Sequence, residues 1–226
     1  MSSRAVVVSG SGRYADPWHP FPETSARIAS VLHGVGFEVE VDENVDARLA
    51  SPGDVELLVL NVGNPGDSRD EAADAATRAG LLEYVSAGRP LLVSHVSSTS
   101  LPAVPEWESV LGGLWVRGTT YHPPYGNAHV EIVDDGHPIT AGLTDFELHD
   151  ELYTQLRVGA GAHVLAQHRL DGTAHPLVWT HRFGDAPVVY DALGHDAASY
   201  DSPEHRELLG RAAMWLVRVT DAAPRA

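Results

Sequence analysis

Histidine is the side chain that most often moves protons and binds metals near neutral pH, and 13 of the 226 residues here are histidine. His95 directly follows the apolar run PLLVS at 90–94 and precedes VSSTS, a segment able to open a helix. A residue at such a strand-to-helix turn is held rigidly at the ligand-binding end of a sheet, as in a nucleophile elbow, where the helix N-terminus also favours negative charge. Val93 and Ser97 stand where the usual elbow has glycines, and the residue itself is His rather than Ser or Cys. A buried histidine bonded to a backbone carbonyl is the competing reading. His195 closes the run Ala192-Leu193-Gly194-His195, in which Gly194 allows backbone to approach a ligand closely. The alternative there is a surface histidine at a strand terminus. Asp150 and Glu151, followed by Tyr153, could supply a base or orient an imidazole, or could lie in a solvated turn. His122 sits between Tyr121 and Pro123-Pro124, a pair that forms neither regular helix nor ladder. It is therefore expected on a loop over a pocket and more exposed than His95.

The elements that must position these groups follow from periodicity. Residues 5–9, 55–61 and 90–94 are continuous apolar runs, as expected of strands buried on both faces of a parallel sheet. Residues 37–41 alternate like a further strand. Helical spacing covers 23–32 and 70–87, with a short helix at 46–49, and Gly34, Gly36 and Gly88 supply stops. Strands alternating with helices predict an α/β fold with a doubly wound, mostly parallel sheet, whose ligands bind beyond the carboxyl ends of its strands. The loops there are 10–22, 61–69 and 95–105. The C-terminal half reads as an antiparallel extension, with strands at 128–133, 163–169, 177–182 and 187–192, the last two joined as a hairpin through Gly184-Asp185. A short helix at 106–111 and an amphipathic helix at 202–219 complete it. No linker or repeat interrupts the chain, so a single domain over residues 1–226 is expected.

Composition removes several classes of function. The formal net charge of −16 opposes a phosphate backbone and argues against nucleic acid. All 15 basic residues are arginine, so Schiff-base and lysine general-base chemistry are absent. There is no cysteine, hence no disulfide and no thiolate ligand. No apolar run approaches the roughly 20 residues that span a bilayer, and the N-terminal run is too short for a signal-peptide core. A cytoplasmic protein with no membrane partner is expected, and a homo-oligomer is left open.

Taken in order, His95 after its strand, Thr120-Tyr121-His122-Pro123, HPITAGL at 137–143, Asp150-Glu151-Leu152-Tyr153, Pro176-Leu177-Val178-Trp179 and ALGH with Ser199-Tyr200 resemble the ThuA-like (trehalose utilisation) family. The segment from Pro203-Glu204-His205 to Met214-Trp215-Leu216 is similar to that family's last helix. The resemblance covers nearly the whole chain. It implies a flavodoxin-like, class I glutamine amidotransferase-like fold in which His95 takes the place of the catalytic cysteine, so amidotransferase chemistry is excluded in its usual form. It also implies carbohydrate catabolism, with His95, His122, Asp150, Glu151 and His195 as pocket positions and His19 in the first loop as a looser match. The expected partner is a small carbohydrate. An enzyme of this kind would be an isomerase, lyase or hydrolase of a disaccharide or keto-sugar. It would use a histidine with Glu151 or Asp150 as base and donor, while Tyr153, Trp18 and Trp179 could stack on a sugar ring. No cofactor is required by this reading. A second reading places a zinc-like divalent metal on His95, His122, His195 and Glu151, although no H-x-x-x-H or H-x-H spacing marks it. A third is a non-catalytic sugar-binding or regulatory module.

Overall fold

The computed structural model describes residues 3–222. In its N-terminal half the chain runs β1 (Arg4–Ser9), α1 (Phe21–Gly34), β2 (Glu38–Asp42), α2 (Val45–Ala50), β3 (Leu57–Asn61), α3 (Glu71–Ser86), β4 (Leu91–Ser94) and α4 (Trp107–Leu111). The second half contributes β5 (Gly113–Leu114), β6 (Gly126–Ile132), β7 (Phe146–Asp150), β8 (Arg157–Val158), β9 (His163–Leu170), β10 (Thr173–Phe183), β11 (Ala186–Asp191) and α5 (Pro203–Asp221). Nine strands form one sheet in the order β2-β1-β3-β4-β11-β10-β9-β6-β7. The five from β2 to β11 are parallel, and the four beyond β11 are antiparallel.

The parallel half explains its own sequence. Strands β1, β3, β4 and β11 are covered on both faces, which requires apolar side chains at nearly every position. Each of the four runs ends on a polar residue: Ser9, Asn61, Ser94 and Asp191, all buried. Register places Ser9 beside Asn61 and Ser94 beside Asp191, so the strands deliver a row of polar groups to one end of the sheet. Helices α1 and α5 pack together on one face, and α2 and α3 on the other. Gly80 makes the second pair fit, since a Cβ there would overlap the Ala50 carbonyl oxygen. The outer strand β2 carries acidic residues along its exposed edge, which discourages pairing with another chain.

Three strands of the second half are not expected from periodicity: β5 and β8, which pair with each other in a separate two-stranded sheet, and β7. Strand β7 reads Phe-Glu-Leu-His-Asp, buried at Phe146, Leu148 and Asp150 and exposed between them. Asp150 is therefore the last inward residue of a strand, not part of a solvated turn. Trp179 also departs from expectation. It is fully buried in β10 and donates its indole N–H to the Leu111 carbonyl at 2.9 Å, so it is core and no sugar platform. Among the described residues no helix is long and apolar enough to cross a membrane.

Candidate functional site

His95 leaves β4 at a backbone φ of 45°, in the left-handed region that costs most residues strain, and opens the 3-10 turn His95–Thr99. Its ring is 1% exposed. Nδ1 lies 2.7 Å from the Ala192 carbonyl, which can only accept, so the ring proton is on Nδ1 and Nε2 carries the lone pair. That lone pair receives the Tyr153 hydroxyl at 2.9 Å. His95 is thus a buried histidine bonded to a backbone carbonyl and, at the same time, an acceptor for the Tyr153 hydroxyl. Burial, then the neighbouring His19, holds its pKa well below the usual histidine value, against the pull of the Ala192 hydrogen bond.

Two further imidazoles meet it. His19 comes from the loop after β1, where the Asp16 carboxylate accepts the backbone N–H groups of Trp18 and His19 and also bonds the His19 Nδ1 at 2.8 Å. With Nδ1 so committed, Nε2 faces inward, buried and without a partner. His195 follows β11. The ring centres of His19, His95 and His195 lie 5.0–5.6 Å apart, edge to face. Glu151 closes the group, with Oε2 at 3.1 Å from His195 Nδ1 and 3.9 Å from His95 Nε2. Burial opposes charge on both His195 and Glu151, but each outweighs that cost for the other. The His195 pKa is raised and that of Glu151 lowered.

Asp150, expected beside Glu151 in the pocket, does not join the cluster. Its carboxylate accepts the backbone N–H of Glu151, Gly194 and His195, at 2.8, 2.7 and 3.0 Å, and the Ser199 hydroxyl at 2.5 Å. It braces the two segments that present Glu151 and His195. Burial raises its pKa despite these donors. Gly194 is required in this brace: its φ is 108°, and a Cβ would stand 2.5 Å from the Tyr200 hydroxyl. Behind it, His205 bonds Asp191 through Nε2 at 3.0 Å and the Ser199 carbonyl through Nδ1 at 3.1 Å. Both partners only accept here, so both ring nitrogens carry protons and His205 is a buried cation. Burial disfavours this charge, but Asp191 more than compensates and the pKa is raised.

The cluster lies beside a cavity of about 960 Å³ formed by the loops after β1, β3 and β4 and by the segment 114–122. His122 lies on its rim with a side chain 38% exposed, its Nδ1 3.6 Å from Glu151 Oε1. Tyr153 is 3% exposed and stacks on His95 with ring centres 4.3 Å apart, so it serves the histidine rather than offering a free face to a sugar. Trp18 is 71% exposed and lines the cavity, as does Trp115, a residue not anticipated, which packs edge-on against Tyr153. The residues whose donor atoms converge to within 4.8 Å are His19, His95, Glu151 and His195. This differs from the expected metal set by exchanging His122 for His19. Asp16 was also missed: its pairing with His19 depends on a turn that spacing alone does not reveal.

The family model described as ThuA, trehalose utilisation, matches residues 4–216. The chain belongs to the ThuA family. Its fold is shared by a ThuA-like protein from Parabacteroides merdae, with a TM-score of 0.79 at 20% identity over 96% of this chain and 90% of that one. A ThuA-like protein from Bacteroides uniformis gives 0.74 at 16% identity, over 95% and 91% of the two chains. A glutamine amidotransferase from Thermotoga maritima gives 0.52 at 11% identity, over 85% and 76%. At these identities the likeness speaks for the fold. No curated protein matches the chain. Within this ThuA fold the residue leaving β4 is His95, and cysteine is absent from the whole chain.

Proposed function

We propose that this ThuA-family protein is an enzyme that acts on a disaccharide or keto-sugar by histidine and carboxylate acid–base chemistry. The observation that carries the reading is the convergence of His95, His195 and Glu151 beside a cavity of about 960 Å³, toward the upper end of the range for small-molecule sites. The family's description as trehalose utilisation supports the substrate class.

The chemistry starts from a C–H bond next to a ketone. His95 Nε2, a lone pair because Nδ1 is committed to Ala192, takes the proton once the Tyr153 hydroxyl turns from it to the substrate. The C–H electron pair becomes the new carbon–carbon double bond, and the carbonyl π pair moves to oxygen. Tyr153 O–H and a protonated His195, its charge favoured by the nearby Glu151, stabilise that oxyanion. With an α-hydroxy ketone, the oxyanion takes the α-hydroxyl proton and His95 returns its proton to the former carbonyl carbon, which completes an isomerisation. Alternatively the oxyanion re-forms the carbonyl, the double bond shifts, and the β-substituent leaves with its bonding pair and takes the proton from His95, which completes an elimination. Trp18 and Trp115 flank the space a sugar ring would fill.

The test is a panel of simple disaccharides and keto-disaccharides, incubated with the protein and followed by mass spectrometry and sugar chromatography. Conversion of a keto-disaccharide is expected. Saturable binding of a sugar with no conversion across the panel would replace the enzyme with a binding module.

A further inference from the structure

We propose that His19, His95, His195 and Glu151 form a divalent-cation site, with three imidazole nitrogens and one carboxylate oxygen as ligands and Asp16 as the residue that orients His19. It uses the same pocket as the catalytic reading and competes with it for His95 Nε2, which is free to act as a base only while no ion is bound. Metal binding is measured without substrate, so the two readings fail separately.

The cluster contains buried ring nitrogens without hydrogen-bond partners. His19 Nε2 and His195 Nδ1 are buried and make no hydrogen bond. Such atoms are uncommon in folded proteins and call for an explanation, of which a bound ion is one. The His195 nitrogen lies 3.1 Å from Glu151 Oε2 without forming a hydrogen bond to it, and a cation between the two displaces any proton it carries. Two of the three rings are held from outside the cluster, and the third residue is held by its backbone. Asp16 bonds the far nitrogen of His19, the Ala192 carbonyl that of His95, and Asp150 grips the backbone of His195. Donation of the second ring N–H to a carboxylate or carbonyl is the usual arrangement of a metal-bound histidine, because it sets the tautomer and aims the free lone pair.

The donor chemistry selects the ion. Three nitrogens and a carboxylate suit zinc or a neighbouring first-row cation, and the absence of sulfur disfavours softer ions. Metal–nitrogen distances of about 2.0–2.1 Å place ligands of one ion no more than about 4.2 Å apart. The four donor atoms here lie within 4.8 Å of one another, so contraction by several tenths of an ångström closes the site. The Tyr153 hydroxyl must leave His95 Nε2 for this to happen, and it then faces the cavity. His122 falls outside the set: its Nδ1 lies 2.9 Å from the Pro123 carbonyl and its ring is on the rim.

The experiment begins with chelator-stripped protein titrated with Zn²⁺, and separately with Co²⁺, whose visible absorption reports coordination geometry. Expected are one ion per chain, a raised melting temperature with metal, and a cobalt spectrum of four- or five-coordinate character. His19→Ala should abolish stoichiometric binding. Asp16→Asn should weaken it about 10–100-fold, the usual effect of removing an outer partner of a ligand. His122→Ala should leave the affinity within about threefold. Each variant's melting curve without metal shows whether it is folded, and Asp16→Asn, which keeps every ligand, serves if His19→Ala does not fold. No stoichiometric uptake by the parent protein overturns the site, as does uptake that survives His19→Ala or is lost with His122→Ala.

Discussion

Replacing His95 by Asn is expected to lower turnover of a keto-disaccharide by about 10²–10⁴-fold, the range typical for loss of an acid–base group. Asn is the informative substitute because it tolerates the left-handed backbone that His95 adopts, with φ of 45°. The folded state also loses the ring's bonds to Ala192 and Tyr153, both buried. A buried polar group left without its partner costs about 1–3 kcal/mol. For a chain of this size that lowers the melting temperature by several degrees, at roughly 2–4 °C per kcal/mol. A variant folded at the assay temperature with turnover reduced a hundredfold or more is the expected outcome, read from steady-state rates beside a thermal melt. Turnover within tenfold of the parent would remove His95 from the chemistry and leave it as a core histidine.

The largest effect on stability is expected away from the cavity. His205→Leu keeps approximate volume but deletes a buried cation that bonds Asp191 and lies close to the buried Asp150. Breaking a buried pair by removing one partner costs about 3–5 kcal/mol, or roughly 6–20 °C in melting temperature. The pH dependence has a definite sign. Because the folded-state pKa of His205 is raised, its stabilisation is fully present below the unfolded value near 6.5 and is lost as pH rises through the folded value. The groups that face it are Asp191, Ser199, Asp150 and the ring of Tyr200. Calorimetric melts from pH 6 to 9 should show the difference between parent and His205→Leu shrinking with pH. A difference that grows across that interval would mean His205 is neutral when folded.

The parallel half of the fold is legible because its strands are buried on both faces, which forces uninterrupted apolar runs that few other structures need. His95 stands out for the same reason, as the first residue past such a run. Strand β7 is harder to read because its third inward position is Asp150, where alternation of apolar and polar residues breaks down. That single fact hid both the strand and the bracing role of the residue. The choice between His19 and His122 lies beyond spacing altogether. Both sit in proline-containing loops of similar composition, and only the Asp16 turn, which holds the His19 Nδ1, decides which imidazole reaches the cluster. Trp179 shows the opposite limit. An aromatic in a strand has two faces to choose between, and here it turns inward to bond Leu111.

The central claim is that His95, Tyr153, His195 and Glu151 move a proton next to a ketone. Its most direct test is hydrogen exchange at that carbon. A keto-disaccharide is incubated with the protein in D₂O and followed by proton NMR, which detects abstraction whether or not a product accumulates. Deuterium is expected at the carbon beside the ketone with the parent protein, and exchange slowed at least about a hundredfold with His95→Asn. Bound keto-sugar with no exchange above the protein-free rate, or exchange equally fast with His95→Asn, would contradict it.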